Sequence, residues 1–501
     1  MKRQLISSSA YRAVEAIWAA VVMLIVTPIL IRSLGTDSYG LWLLLLSGIG
    51  LMNFFELGFA SAIQRRMAQA IEHQNLEQLN RLYSSGLCLF GLLSVLAVAA
   101  LFLLAWFPGW LGIDPTHQHL ALLAFLFFGL KVVLDFIANA IHGIFSGQLR
   151  FDLDSQIAIL AMTSKAFLMV LFVKPYGVLG LVVITITTDG LAQLAKFLVA
   201  YRIQPGLCWV WPAKFRQDCS DLFGYARHVI LIELARLVQE KSVVILISHL
   251  LGLVAISLYA IADRLLRQAT MLVQTMTAVL QPYLIRKVEQ GQLDISLMDK
   301  TMQLHAWLSA IVLLPILLCG PAFILLWVGP EFAVSQSLLL VLVLAALFRV
   351  LSLPISQFLL AEAKHQWIAP LELAAAVIYM VLILLFGRWY GLHGIVWGGV
   401  VTSLVIHTFG YAMLAALKLR IRFWRSVFLV GRLLLMFIVI FAVSRSIALP
   451  ATAMNWFTLP LWVLLSISVA TVMGYFWLLD HTMRGMLRRI VLERLQAAGS
   501  R

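Results

Sequence analysis

Short polar breaks divide the chain into apolar runs of about 18 to 25 residues, the length a helix needs to cross the hydrocarbon core of a bilayer. The pattern predicts spanning helices at 10–32, 39–62, 82–106, 119–142, 157–173, 177–201, 225–250, 254–285, 301–326, 334–360, 369–387, 391–417, 428–447 and 459–479. Their grouping comes from an internal repeat. Lys174–Val182 returns as Arg388–Val396, 214 residues on. Leu34-Gly35 returns as Leu251-Gly252 and Gly112 as Gly329, both at 217, and Lys131 has a counterpart in Arg349 at 218. Four landmarks in one order at nearly one spacing indicate a six-helix unit present twice. The expected fold is an all-α integral membrane body of about fourteen helices. It comprises a first six-helix lobe over 1–222, a second over 223–427, and a terminal helix pair with a basic cytoplasmic tail over 428–501.

Composition narrows the class. Of 501 residues, 62% are apolar and 12% charged, against about 25% charged in soluble domains. A soluble enzyme is excluded. Met1-Lys2-Arg3 leads into an apolar run from Ala10 past Ile29 with no A-x-A-like site, which reads as a retained first helix. The net charge of +14 raises nucleic acid as a partner, but the basic residues lie on one side of the predicted membrane. Lys2, Arg3, Arg65, Arg66, Arg81, Arg150, Arg202, Lys214, Arg216, Arg286, Lys287, Lys300, Lys364 and the Lys418–Arg425 cluster all fall there, and the opposite side has little beyond Arg32, Lys174, Arg388 and Arg445. This bias places both termini in the cytoplasm and leaves no nucleic-acid signal. Amphipathic stretches at Met67–Arg81 and Met483–Gln496 are expected along the inner surface. Cys88, Cys208, Cys219 and Cys319 lack metal-ligand spacing and read as small buried hydrophobes. The longest loop, 202–222, carries no phosphate-binding glycine motif, and no loop is large enough for a catalytic domain.

Charges inside the predicted helices are costly, about 2.5–3.5 kcal/mol each on insertion scales, and persist where they pair or line a wet cavity. Glu233, Arg236, Glu240 and Lys241 share the seventh helix, with Arg236 and Glu240 spaced to pair at i,i+4. Asp263, Arg264 and Arg267 lie within about 100° on the eighth. Lys131 and Asp135 lie on the fourth, Arg349 on the tenth, and Lys165 and Asp189 on the fifth and sixth. One account is that the charges neutralise one another as structural pairs. Asp263 cannot balance both Arg264 and Arg267, however, and with Lys131, Lys165, Lys241 and Arg349 the interior is expected to hold surplus cations. Such a cavity suits an anion, and guanidinium forks suit phosphate oxygens. The eleven histidines show no ligand spacing, and His249 and His407 read as satisfied helix residues. Trp42, Trp106, Trp110, Trp327, Trp389 and Tyr390 are expected in an aromatic belt at the outer boundary.

Leu34-Gly35-Thr36-Asp37-Ser38-Tyr39-Gly40-Leu41-Trp42, followed by Phe55-Glu56-Leu57-Gly58-Phe59-Ala60-Ser61-Ala62, resembles the bacterial polysaccharide flippases. These serve O-antigen and exopolysaccharide synthesis and belong to the multidrug/oligosaccharidyl-lipid/polysaccharide exporter superfamily. Glu56 stands where Asp is commoner in the family pattern. The Tyr-Gly-x-x-Gly turns at 176 and 390 and Trp327-Val-Gly-Pro-Glu331 are similar to the family's as well. The resemblance implies two lobes around a central cavity in the bacterial inner membrane. It also implies a polyprenyl-pyrophosphate-linked oligosaccharide as substrate and alternating access coupled to H⁺ or Na⁺, with no bound cofactor. Arg264 and Arg267 are the expected pyrophosphate ligands, supported by Lys131, Arg349, Arg236 and Lys241. Glu56, Asp135, Asp189, Glu233, Glu240 and Asp263 are the candidates for ion coupling. A polysaccharide polymerase and glycosyltransferases are the expected protein partners. A multidrug-type antiporter is the main alternative, since it shares helix number and duplication; an O-antigen polymerase or ligase and a non-transporting scaffold are the others.

Overall fold

A computed structural model describes residues 2–56, 58–278, 295–362, 364–446, 455–486 and 488. Packing divides the chain into two units, Met1–Ser257 and Leu258–Arg501. That division is one of contact, whereas the expected boundary at 222/223 is one of ancestry. All regular structure among the described residues is helical.

The first unit contains α1 (Lys2–Met52), α2 (Phe59–Glu72), α3 (Leu76–Trp106), α4 (Pro115–Gly147), α5 (Phe151–Ile203) and α6 (Phe215–Leu251). The second contains nearly all of α7 (Leu253–Ala278), then α8 (Ile295–Val328), α9 (Ala333–Phe348), α10 (Ser352–Ala361), α11 (Ile368–Thr402), a wide π-helical turn (Ser403–Gly410), α12 (Tyr411–Leu419), α13 (Phe423–Ser446) and α14 (Leu459–Trp477). Nine stretches among the described residues are long and apolar enough to cross a membrane. Three of these are two spans joined at a kink, at Gly35, Gly177 and Gly391, which makes twelve. The more highly charged α6 and α7 bring the count to the expected fourteen.

The kinks carry the repeat. Gly35 (φ 78°, ψ 167°) and Gly252 (φ 84°, ψ 179°) adopt one conformation, and Gly177 (φ 54°, ψ −143°) and Gly391 (φ 60°, ψ −140°) another. Both lie where a Cβ is strained. These two pairs of landmarks are therefore equivalent in backbone geometry as well as in sequence.

Several expected elements differ. The 39–62 helix stops at Met52, and the chain turns through Asn53–Glu56 before α2 starts. Met67–Arg81 is two elements, because the Asn75 side chain accepts the Gln78 N–H and starts a new helix. Met67 and Ala70 are buried in the protein. Gly143 and Gly147 of α4 bring α2 close, so that a Cβ on either would come within 3.0 Å of Met67, Ala68 or Ile71. Of the Met483–Gln496 stretch, Gln496 and most of its neighbours lie outside the described residues, as do Arg286 and Lys287. Trp42 and Trp327 are buried rather than in a belt, Trp42 beside Phe128 and Trp327 stacked on Phe323. Trp106, Trp110, Trp389 and Tyr390 are exposed. All four cysteines are free, and only Cys319 is buried; Cys88 and Cys208 are exposed.

Candidate functional site

In the first unit the charges of α4 and the two arms of α5 form one network. Lys131 Nζ lies 2.5 Å from Asp135 and 3.1 Å from Asp189. Asp189 also pairs with Lys165 across the Gly177 kink, and Gln193 donates to Asp135 at 3.1 Å. Two ammonium groups meet two carboxylates, so Lys131 and Lys165 add no surplus charge here. Glu56, at the break after α1, accepts a hydrogen bond from the Asn139 amide of α4.

On α6, Arg236 pairs with Glu233 at 3.4 Å rather than with Glu240 as its spacing predicts. Both partners are substantially exposed, so this pair contributes little to stability. Lys241 lies over Gly50 of α1, its Cε 2.8 Å from where a Cβ would stand. A residue with no side chain at 50 is what lets the lysine stem cross α1 there.

In the second unit α7 presents Asp263, Arg264 and Arg267. Arg267 Nε donates to Asp263 Oδ2 at 2.6 Å, one helical turn back, and its side chain remains 45% exposed. Arg264 is half-buried beside it. One carboxylate thus orients one guanidinium, and a second guanidinium adjoins it on the same helix. This arrangement is suited to a doubly charged oxyanion.

Arg349 does not sit within a continuous helix as expected. It is the residue at which α9 ends, and two turn residues separate it from α10. Glu372 of α11 faces this region. Sequence reasoning passed over it, although a single acid in an otherwise apolar helix was a readable signal. Its Oε1 accepts the Tyr411 hydroxyl at 2.5 Å, and its Oε2 lies 3.9 Å from His407 Nε2. His407 is not the satisfied residue anticipated. It is 1% exposed, and neither ring nitrogen has a hydrogen-bond partner among the described residues. Among the described residues no group of three metal-ligating side chains comes together.

The architecture belongs with solved membrane transporters. It is similar to the lipid II flippase MurJ in an inward closed conformation, with a TM-score of 0.70 at 12% identity over 94% of this chain and 98% of that one. It is similar also to an inward-facing multidrug resistance MATE family transporter of the MOP superfamily, at TM-score 0.61 and 17% identity over 80% of this chain and 99% of that one. A variant of the Vibrio cholerae MATE transporter VcmN gives 0.55 at 16% over 83% and 94%. At these identities the likeness defines the fold. No curated protein matches the chain in sequence. The family described as "Polysaccharide biosynthesis protein" matches residues 7–288, more than half the chain, and the protein belongs to it. That agrees with the resemblance carried by Leu34–Trp42 and Phe55–Ala62.

Proposed function

We propose that this protein is an alternating-access flippase. It moves polyprenyl-pyrophosphate-linked oligosaccharide repeat units across the bacterial inner membrane for surface polysaccharide synthesis, with both termini cytoplasmic. Transport, rather than catalysis by a polymerase or ligase, is its activity. The observation that carries this reading is the Asp263–Arg264–Arg267 cluster on a membrane-length helix of a polysaccharide-biosynthesis family member. A half-exposed guanidinium held by its own helix suits a diphosphate better than the cationic cargo of a drug antiporter.

Arg264 and Arg267 are the primary pyrophosphate ligands in this proposal. Arg236, Lys241, Arg349 and Lys131 provide secondary positive field, Lys131 least because two carboxylates already hold it. Coupling to H⁺ or Na⁺ draws on Glu56, Asp135, Asp189, Glu233, Glu240 and Asp263. A polymerase and glycosyltransferases act before or after the transported step.

The test is a strain lacking the protein. Labelled lipid-linked glycan is expected to accumulate on the cytoplasmic face, inaccessible to an impermeant lectin, with surface polymer lost. The Arg264→Ala/Arg267→Ala double variant is expected to reproduce that loss while accumulating to wild-type levels. Normal glycan pools with altered efflux of small cations would replace this reading with the antiporter. Repeat units displayed outside but unpolymerised would replace it with the enzyme.

A further inference from the structure

Two departures from regular helix meet in the second unit. At the end of α9, Arg349 N–H bonds back to Ala346 O at 3.1 Å and Val350 N–H to Leu347 O at 3.3 Å, and α10 starts at Ser352. Between α11 and α12 the chain widens into the π turn Ser403–Gly410. The two are tied together, because Thr408 Oγ1 donates to the Phe348 carbonyl at 2.7 Å. A helix that ends leaves carbonyls without partners, and in an apolar span these must be satisfied by neighbours. Broken helices at membrane depth are where transporters hold ligands and ions, and π turns concentrate at functional sites.

His407 lies in this π turn. Its ring stacks on Tyr411, with the planes 9° apart and the centroids 6.0 Å apart. Tyr411 in turn donates to Glu372, and Ser356 Oγ lies 3.3 Å from the Tyr411 hydroxyl. The 3.9 Å separation of His407 Nε2 from Glu372 Oε2 is too long for a hydrogen bond. A buried polar group left unsatisfied costs about 1–3 kcal/mol, and an imidazole with both nitrogens in that state points to a ligand that arrives in another state of the site.

We propose that His407 and Glu372 form a proton-binding site of the second unit. A proton on the imidazole makes both ring nitrogens donors and creates a cation facing the carboxylate, which draws the pair from 3.9 Å into hydrogen-bond contact. Loss of the proton reopens the gap. The fields that act on His407 are those of Glu372, which attracts an imidazolium, and Arg349, which repels it. Of the packed elements, α11 contributes Glu372 and α12 the Tyr411 hydroxyl. The π turn and α13 meet through Phe409 on Phe423, and Arg425 of α13 is held 2.5 Å from Asp299. That this proton helps drive transport rests on the flippase reading; that the site binds a proton does not.

The test is ¹⁵N-histidine NMR of the full-length protein in nanodiscs, without substrate. The His407 signal, assigned by its loss in His407→Asn or His407→Gln, is expected to pass from one to two protonated nitrogens as the pH is lowered. Glu372→Gln is expected to displace that transition by about one pH unit or more, and Arg349→Gln to displace it in the opposite direction. A signal unchanged with pH, or a transition identical in Glu372→Gln, overturns the site. A transition suppressed by Na⁺ but not by choline at equal concentration overturns the proton as its ligand. Because no substrate is present, this result stands apart from the glycan assay.

Discussion

At the scale of single residues, the Leu34–Trp42 segment is conspicuous as a turn, but its structural demand falls on one glycine more than on the other. Gly35 needs its positive φ and has open space around it. Gly40 packs against the backbone of Leu253, so that a Cβ there would stand 2.0 Å from the Leu253 carbonyl oxygen. One turn earlier, Ser257 Oγ donates to Thr36 O at 2.6 Å. A backbone carbonyl held between such contacts cannot retreat as a flexible side chain would. Gly40→Ala is therefore expected to cost about 3 kcal/mol, the upper part of the overpacking range, read as a lowered thermal midpoint in detergent. A variant that unfolds with wild-type protein would disprove the close approach. Single residues are also where reading from sequence is weakest. Trp42 and Trp327 have the same composition signal whether they anchor in headgroups or fill a core, and only their neighbours Phe128 and Phe323 distinguish the two.

At the scale of elements, helix lengths were legible because a bilayer imposes them, and breaks marked by Gly and Pro were legible because those residues punctuate. The break at Arg349 and the π turn at 403–410 were not. Their sequences, Ala345–Leu351 and Ser403–Gly410, contain no Gly-Pro pair or cap signature, and the irregularity arises from one element supporting the other through Thr408. Glu372 became meaningful only once that juxtaposition was known. The end of α14 illustrates an electrostatic clasp between elements. Asp480 N–H donates to Gln303 Oε1 at 2.9 Å, and Gln303 returns a hydrogen bond to Asp480 Oδ2 at 3.2 Å, joining α14 to α8. Burial alone would raise the Asp480 carboxyl, but donors from Thr482, Met483 N–H and Gln303 outweigh it and hold the group below its ordinary range. The stabilisation is therefore complete above the unfolded carboxyl value of about 3.9 and is lost as pH falls through the depressed folded value. Thermal unfolding from pH 6 to pH 3 is expected to show a smaller acid loss in Asp480→Asn than in wild type. Equal losses would mean that the clasp carries no charge-dependent stability.

At the scale of the whole molecule, the duplication makes a symmetric prediction. Gly177 and Gly391 share a backbone conformation, and no atom lies within 4 Å of a Cβ built on Gly177. Gly177→Ala is expected to cost about 1–3 kcal/mol from backbone strain alone, and Gly391→Ala a similar amount, both measured by unfolding in detergent. A large loss at one site with none at the other would argue against equivalent kinks. The fold and its repeat were legible in the sequence for this reason: glycine is required wherever the chain must turn this way, and the requirement recurs at one offset. The charged interior was only half legible, since spacing along one helix found Lys131–Asp135 and grouped Asp263 with Arg264 and Arg267, but it chose Glu240 over Glu233 for Arg236 and missed the partner across a kink. That partner has a consequence for how the protein is made. Lys165 and Asp189 lie on opposite arms of α5, and each alone would face hydrocarbon at about 2.5–3.5 kcal/mol during insertion. Joined across Gly177, the arms present these two mid-span charges as one neutral pair. The two spans are thus expected to leave the insertion machinery together, with the turn that shapes the finished unit also setting the order in which the membrane receives it.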